Sequence, residues 1–176
     1  FDLDNTIVPG PAIEYRYFRL LWRQGLVGPM DLVRSAPVLL RNIPPLSFDP
    51  LRRFKAYLAE KPSAAVEASI QNFFWEHVCP RISEQARLAI EEHRAQGHRL
   101  ILLTGSPEFI VAPLATYLKI DQVVAGRLEK TGDTFTGRMI EPYPYRHGKR
   151  QAAERLAAEQ NLDLAASYMY GDSPGD

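Results

Sequence analysis

The chain has 176 residues, of which 45% are hydrophobic and 24% charged, with 21 basic and 21 acidic side chains. That is enough for one α/β domain or a small core with a modest insertion, and a formal net charge of zero supplies no general basic field for nucleic acid or an anionic membrane. The single cysteine, Cys79, excludes a disulfide within the chain, nothing demands an oxidising compartment, and no run of 18 apolar residues offers a membrane span.

Phe1-Asp2-Leu3-Asp4 reads as the last part of a buried strand, followed by a sharp turn. Residues 12–24 are aromatic-rich, with Tyr15, Phe18, Leu21 and Trp22 at helical spacing, and residues 29–41 read as a second helix. Pro44 and Pro45 break the chain. Residues 50–60 and 63–78 continue the helical pattern on Phe54, Leu58, Val66, Ile70, Phe73 and Phe74. Residues 10–79 are therefore expected to be an all-helical insertion, and residues 1–9 and 80–176 the core.

After Pro80 the character changes. Ser83 is an N-cap candidate for a helix over 84–96, and Gly97 is its stop. Residues 99–103 form an apolar strand of the kind buried on both faces of a parallel sheet. A helix over 108–119, a short strand at Val123–Ala125, a hairpin within 128–140, a helix over 148–161 and a strand at 168–170 follow. This alternation predicts an α/β fold, a Rossmann-like parallel sheet with crossover helices. The chain opens inside one motif and closes inside another, Gly171 to Asp176, so its ends read as those of a fragment.

Four features carry chemistry, each at a strand end or helix start, the edge where open parallel sheets bind ligands. Asp2 and Asp4 stand at i and i+2 and project to the same side of an extended strand. Alone, the pair is a weak signal that also fits a solvated strand end. Thr104, Gly105 and Ser106 follow a buried strand and precede a helix, where hydroxyl and backbone N–H groups can hold phosphate oxygens. Taken alone, an ordinary turn explains them as well. Lys149 sits at the positive end of a helix dipole, a local violation of the kind that gathers at functional sites. Asp172 and Asp176 share a loop one turn apart. Together, these acids crowd one sheet crevice and require a neutralising cation. Oxygen ligands without His or Cys favour Mg²⁺ over zinc.

The ordered set DLDNT, LLTGS, HGK and GDSPGD resembles the four motifs of the haloacid dehalogenase superfamily, and the insertion resembles the helical cap of its phosphoserine-phosphatase-like subgroup. The resemblance implies a phosphatase in which Asp2 is the nucleophile and Asp4 the acid and base. It also implies Mg²⁺ held by the Asp2 carboxylate, the Asp4 backbone carbonyl and Asp172, with Asp176 in support. Thr104, Gly105 and Ser106 would hold the phosphoryl group, opposed by Lys149. A small phosphorylated metabolite, phosphoserine-like or histidinol-phosphate-like, is the expected substrate, with no nucleic-acid partner and a cytoplasmic setting. The cap carries no match to phosphoserine phosphatase's substrate-binding pattern, and Glu14 could meet an amino group or lie on a helix surface. The apolar Leu20, Leu21, Trp22, Leu39 and Leu40 suit a helical core first, and a lipid phosphate or a membrane surface second.

Overall fold

The computed structural model describes residues 1–31, 33, 54–145 and 147–173. Three strands form its sheet: β1 (Ile101–Pro107), β2 (Gln122–Thr131) and β3 (Thr134–Ile140), in that order. β1 and β2 are parallel, with Leu102 beside Val123, and β2 and β3 form the expected antiparallel hairpin. The apolar run places Leu102 and Leu103 in the buried middle of β1. The strand continues through Thr104, Gly105 and Ser106 to Pro107, with a register break after Leu103, where the sequence predicts a turn.

The first residues extend this sheet. Phe1 accepts from the Leu103 N–H (2.9 Å), and on its other side Asp2 donates its N–H to Tyr170 (2.8 Å). Phe1 also stacks on Tyr170, the rings 4.5 Å apart. The expected strand at 1–4 therefore lies between β1 and the one at 168–170, but the few hydrogen bonds joining them make no regular ladder.

The helices among the described residues are α1 (Ile13–Arg23), α2 (Ser63–Ala68), α3 (Ile70–Phe73), α4 (Glu84–Ala95), α5 (Glu108–Tyr117) and α6 (His147–Gln160). α3 runs into a π-helical turn over Phe74–Val78. Ser83 caps α4 as expected, accepting from the Ala86 N–H, and Gly97 stops it at φ +73°. α5 spans the crossover between the parallel strands β1 and β2.

Two expectations need correction. The buried stripe of α1 is Ile13, Tyr17 and Leu21, spaced i, i+4, i+8, whereas Tyr15 is 53% and Trp22 40% exposed. The chosen aromatics matched helical spacing, but burial went to the adjacent stripe. Residues 54–60, the described part of the helical stretch expected over 50–60, are also not a continuous helix. They hold one 3-10 turn, Ala56–Leu58, and the chain from there to Ser63 runs along β3: Lys55 donates to Gly137, Glu60 to Phe135 and Ser63 to Asp133, while Phe135 donates back to Lys61. Strand-edge pairing outweighed the helical pattern there. The expected helix at 29–41, with Leu39 and Leu40, lies largely outside the described residues.

One hydrophobic core spans these elements, from Leu3 and Ile7 through Tyr17, Leu21 and Phe73 to Ile90, Leu102, Leu114 and Phe135. Tyr17 buries its ring against Phe73 and donates its hydroxyl to the Val66 carbonyl. That bond ties α1 to α2 and fixes the helix whose neighbouring face borders the site.

Candidate active site

A cavity of about 840 Å³ opens where the first loop, the end of β1 and the start of α6 meet. Asp2, Asp4, Thr104, Gly105, Ser106, Lys149 and Asp172 all border it. Asp176 lies outside the described residues, as does Arg146.

The loop that carries the two acids is held by its own backbone. Leu3 accepts from Ile7 and Val8, and Asn5 takes a left-handed φ of +61°, which Asn tolerates better than most residues. The Asn5 side chain accepts from the Gly10 N–H (3.0 Å). These bonds turn Asp4 back over the start of α1. One carboxylate oxygen accepts from the Ile13 N–H (2.7 Å), the other from the Ser106 hydroxyl (3.2 Å). Burial pushes the Asp4 carboxyl above its usual value, and the charge of Asp2 adds to that, while the bonds from Ile13 and Ser106 oppose it.

Lys149 comes from 147 residues further along and donates to Asp2 at 2.7 Å. Both side chains are buried. α6 can approach this closely because its second residue is Gly148, where an added Cβ would lie 2.0 Å from the Tyr143 carbonyl oxygen. The lysine at the helix start is thus explained by a buried partner rather than by solvent. His147 is exposed, as expected, and Arg150 pairs with Glu154 on the surface (2.7 Å).

Thr104 is buried and its hydroxyl oxygen accepts from the Ser106 N–H (3.1 Å). Ser106 turns its own hydroxyl to Asp4, so it orients the acid as well as bordering the cavity. A Cβ on Gly105 would meet the Tyr143 hydroxyl at 3.3 Å, which leaves its backbone closely covered by the Tyr143–Tyr145 segment.

The donor set suits a hard divalent cation. Asp2 and Asp172 present carboxylates to the same cavity, and Mg²⁺ takes one or two carboxylates and completes its shell with water. Both Asp4 side-chain oxygens are engaged, which leaves its backbone carbonyl as the donor the resemblance implied. Among the described residues no three His, Cys, Asp or Glu side chains converge as a cage.

The opposite wall holds residues that sequence reasoning missed. Glu14 faces the cavity, but Lys55 reaches one of its oxygens at 2.6 Å and the Tyr57 hydroxyl the other at 2.9 Å. The Tyr57 hydroxyl is held well above its usual pKa by burial first and by Glu14 next. Tyr143 and Tyr145 border the same space. The spacing of Lys55 and Tyr57 carries no signal of its own. The repeated Pro-Tyr run just before HGK was the one local hint of the tyrosines.

The family model described as haloacid dehalogenase-like hydrolase matches residues 1–176. The chain belongs to this family. It is 28% identical over 182 residues to the inhibition of morphological differentiation protein of Streptomyces azureus, covering 100% of this chain and 65% of that protein. It is 25% identical over 183 residues to the histidinol-phosphatase of Neisseria meningitidis, covering 100% of this chain and 82% of that one. The chain therefore spans just under two thirds of the length of the first of these relatives. A Bordetella pertussis protein of unknown function superposes with a TM-score of 0.77 at 25% identity, covering 94% of this chain and 75% of that one. A phosphoserine phosphatase solved as a phospho-aspartyl intermediate analogue shares the fold, with a TM-score of 0.58 at 20% identity, covering 93% and 72%. The haloacid dehalogenase-like core thus carries the Rossmann-like arrangement read from the strand and helix pattern.

Proposed function

We propose that the chain hydrolyses a phosphomonoester, with Asp2 as nucleophile. The observation that carries this reading is the buried Lys149–Asp2 contact inside a cavity that Thr104 and Asp172 also border. Lys149 balances the Asp2 carboxylate before reaction and the phosphoryl oxygens during it. An Asp2 oxygen attacks phosphorus, the ester P–O bond breaks, and Asp4 gives its proton to the departing alcohol oxygen. Water then loses a proton to Asp4 and attacks the phosphorus of the aspartyl-phosphate. The bond to Asp2 breaks and inorganic phosphate leaves.

The raised Asp4 carboxyl suits the first proton transfer, because more of it stays protonated near neutral pH than of an exposed carboxyl. Thr104 and the Gly105 backbone hold the phosphoryl oxygens, and Ser106 aims Asp4. Asp2, the Asp4 carbonyl and Asp172 would hold Mg²⁺, with Asp176 in support; when bound, the ion supplies positive charge for the developing phosphoryl charge. Residues 10–79 serve as the cap over a core of 1–9 and 80–176.

The substrate reading follows the Neisseria relative, a histidinol-phosphatase, toward a small phosphorylated metabolite. Lys55 already neutralises Glu14, which argues against Glu14 receiving a substrate ammonium group. The test is a panel of phosphomonoesters with Mg²⁺, with Asp2→Asn as the blank. Turnover by the wild type and none by Asp2→Asn supports the reading, and equal turnover by both overturns it.

A further inference from the structure

The outer face of α1 is not explained by the chemistry above. At about 100° per residue, Tyr15, Arg16, Arg19, Trp22 and Arg23 fall within an arc of about 120°. This arc lies away from the buried stripe of Ile13, Tyr17 and Leu21. Arg81 faces the row and closes a cleft of about 310 Å³ that no described acidic residue lines. Neither Arg19 nor Arg23 forms an ion pair with a described residue, and both are exposed. Arg16 is pinned by the Pro9 and Pro11 carbonyls (2.6 and 2.7 Å). Its guanidinium is held below its usual value by burial, and then by the neighbouring charge of Arg81. Like charges three and four apart oppose a helix rather than support it, so the row is a local cost without a local return.

The aromatic neighbours decide what kind of anion suits the row. Trp22 and Tyr15 are exposed beside it, and Trp22 leans on Phe18, which borders the catalytic cavity. Met30 and Val33, shortly after α1, are exposed as well. Tryptophan and tyrosine beside arginine form the pattern of a helix lying at a lipid–water boundary, with cations toward headgroups and rings toward acyl chains. A small free anion would have no use for the exposed rings of Trp22 and Tyr15.

We infer that this face of α1 docks the protein on an anionic phospholipid surface. Tyr15 borders both the arginine cleft and the catalytic cavity, so docking sets the mouth of that cavity beside the surface. The inference rests on the surface around α1 and not on the hydrolase reading.

The experiment is sedimentation of the whole chain with vesicles of phosphatidylcholine, with and without phosphatidylglycerol, at low and high salt. The wild type is expected to partition onto the phosphatidylglycerol vesicles, to ignore pure phosphatidylcholine and to be released by salt. An arginine near an anionic surface is worth about fivefold in partitioning, so the pair Arg19→Gln, Arg23→Gln is expected to lose about thirtyfold. Its folding, read by circular dichroism, and its hydrolysis of a soluble aryl phosphate are expected to be unchanged. Trp22→Ser is expected to weaken binding at low salt, where the wild type partitions onto the vesicles. Asp2→Asn is expected to partition like the wild type, which separates failure of docking from failure of the hydrolase reading. Equal partitioning of wild type and the Arg19/Arg23 pair variant would overturn the inference. So would displacement from vesicles by inorganic phosphate, which would mark a free-anion site, or binding of single-stranded RNA in place of vesicles.

Discussion

Replacing Lys149 by Met removes one half of a buried ion pair whose atoms stand 2.7 Å apart. At an effective dielectric of about 20, their attraction is about 6 kcal/mol. Most of it is offset by the cost of taking both charges out of water, so the pair itself adds little. Breaking it is another matter, because Asp2 is left charged and buried. That leaves a loss of about 3–5 kcal/mol, a large part of the total stability of an ordinary domain. Methionine keeps most of the lysine stem's packing, so the loss reports charge rather than a cavity. The measurement is urea unfolding of Lys149→Met, of Asp2→Asn, and of the double variant. The double variant is expected to recover part of the stability, since the two opposed charges of this contact are removed together, while turnover stays absent in all three. A loss below about 1 kcal/mol, with no rescue in the double variant, would refute the claim that this contact is a desolvated ion pair.

Asp4 has a folded-state pKa above its unfolded value because of burial. Its contribution to stability is therefore neutral below the unfolded value and becomes unfavourable as pH rises through the folded one. The alkaline limb of kcat/KM is expected above the ordinary carboxylate range and absent in Asp4→Asn, which should lose about 10²–10⁴ in rate; a pH–rate profile checks both. Gly148→Ala places a Cβ 2.0 Å from the Tyr143 carbonyl oxygen. It is expected to cost about 1–3 kcal/mol and to lower turnover by shifting Lys149, as thermal unfolding and kinetics will show. Tyr57→Phe removes a donor to the Glu14 carboxylate and should cost about 1.5–3 kcal/mol, measured by denaturant titration. A chelator is expected to abolish turnover and Mg²⁺ to restore it, whereas Ca²⁺, which prefers looser coordination, should inhibit; full activity in Ca²⁺ would count against the assigned donors.

The part of the site built from backbone-adjacent motifs was legible in the sequence. Asp2, Thr104, Lys149 and Asp172 were placed by strand ends and a helix start, and the folded chain brings all four to one cavity. Lys149 was found because it broke a rule of helix electrostatics, but its contact with Asp2 was not read from the sequence. The opposite wall was not legible. Lys55 and Tyr57 meet Glu14 across about forty residues of chain, and no period or motif encodes a contact made by tertiary packing alone. The same limit applies to α1. Its spacing predicted a helix, but several aromatics satisfied that spacing, and the packing of α2, α3 and α5 around Tyr17 decides that it is buried and Trp22 is not. Residues 54–60 failed differently, because pairing with β3 replaced a helical tendency that was real but weak.

That pairing limits how a ligand can enter. Four backbone hydrogen bonds fasten the stretch from Lys55 to Ser63 onto the β3 edge, and Lys55 and Tyr57 are rooted in it. The shelf across the cavity from Asp2 and Asp4 cannot swing aside like a hinged door without undoing those bonds. Admission and discharge on this side fall to rotamer changes of individual side chains, and substrate selection becomes a property of a rigid rim rather than of a closing jaw.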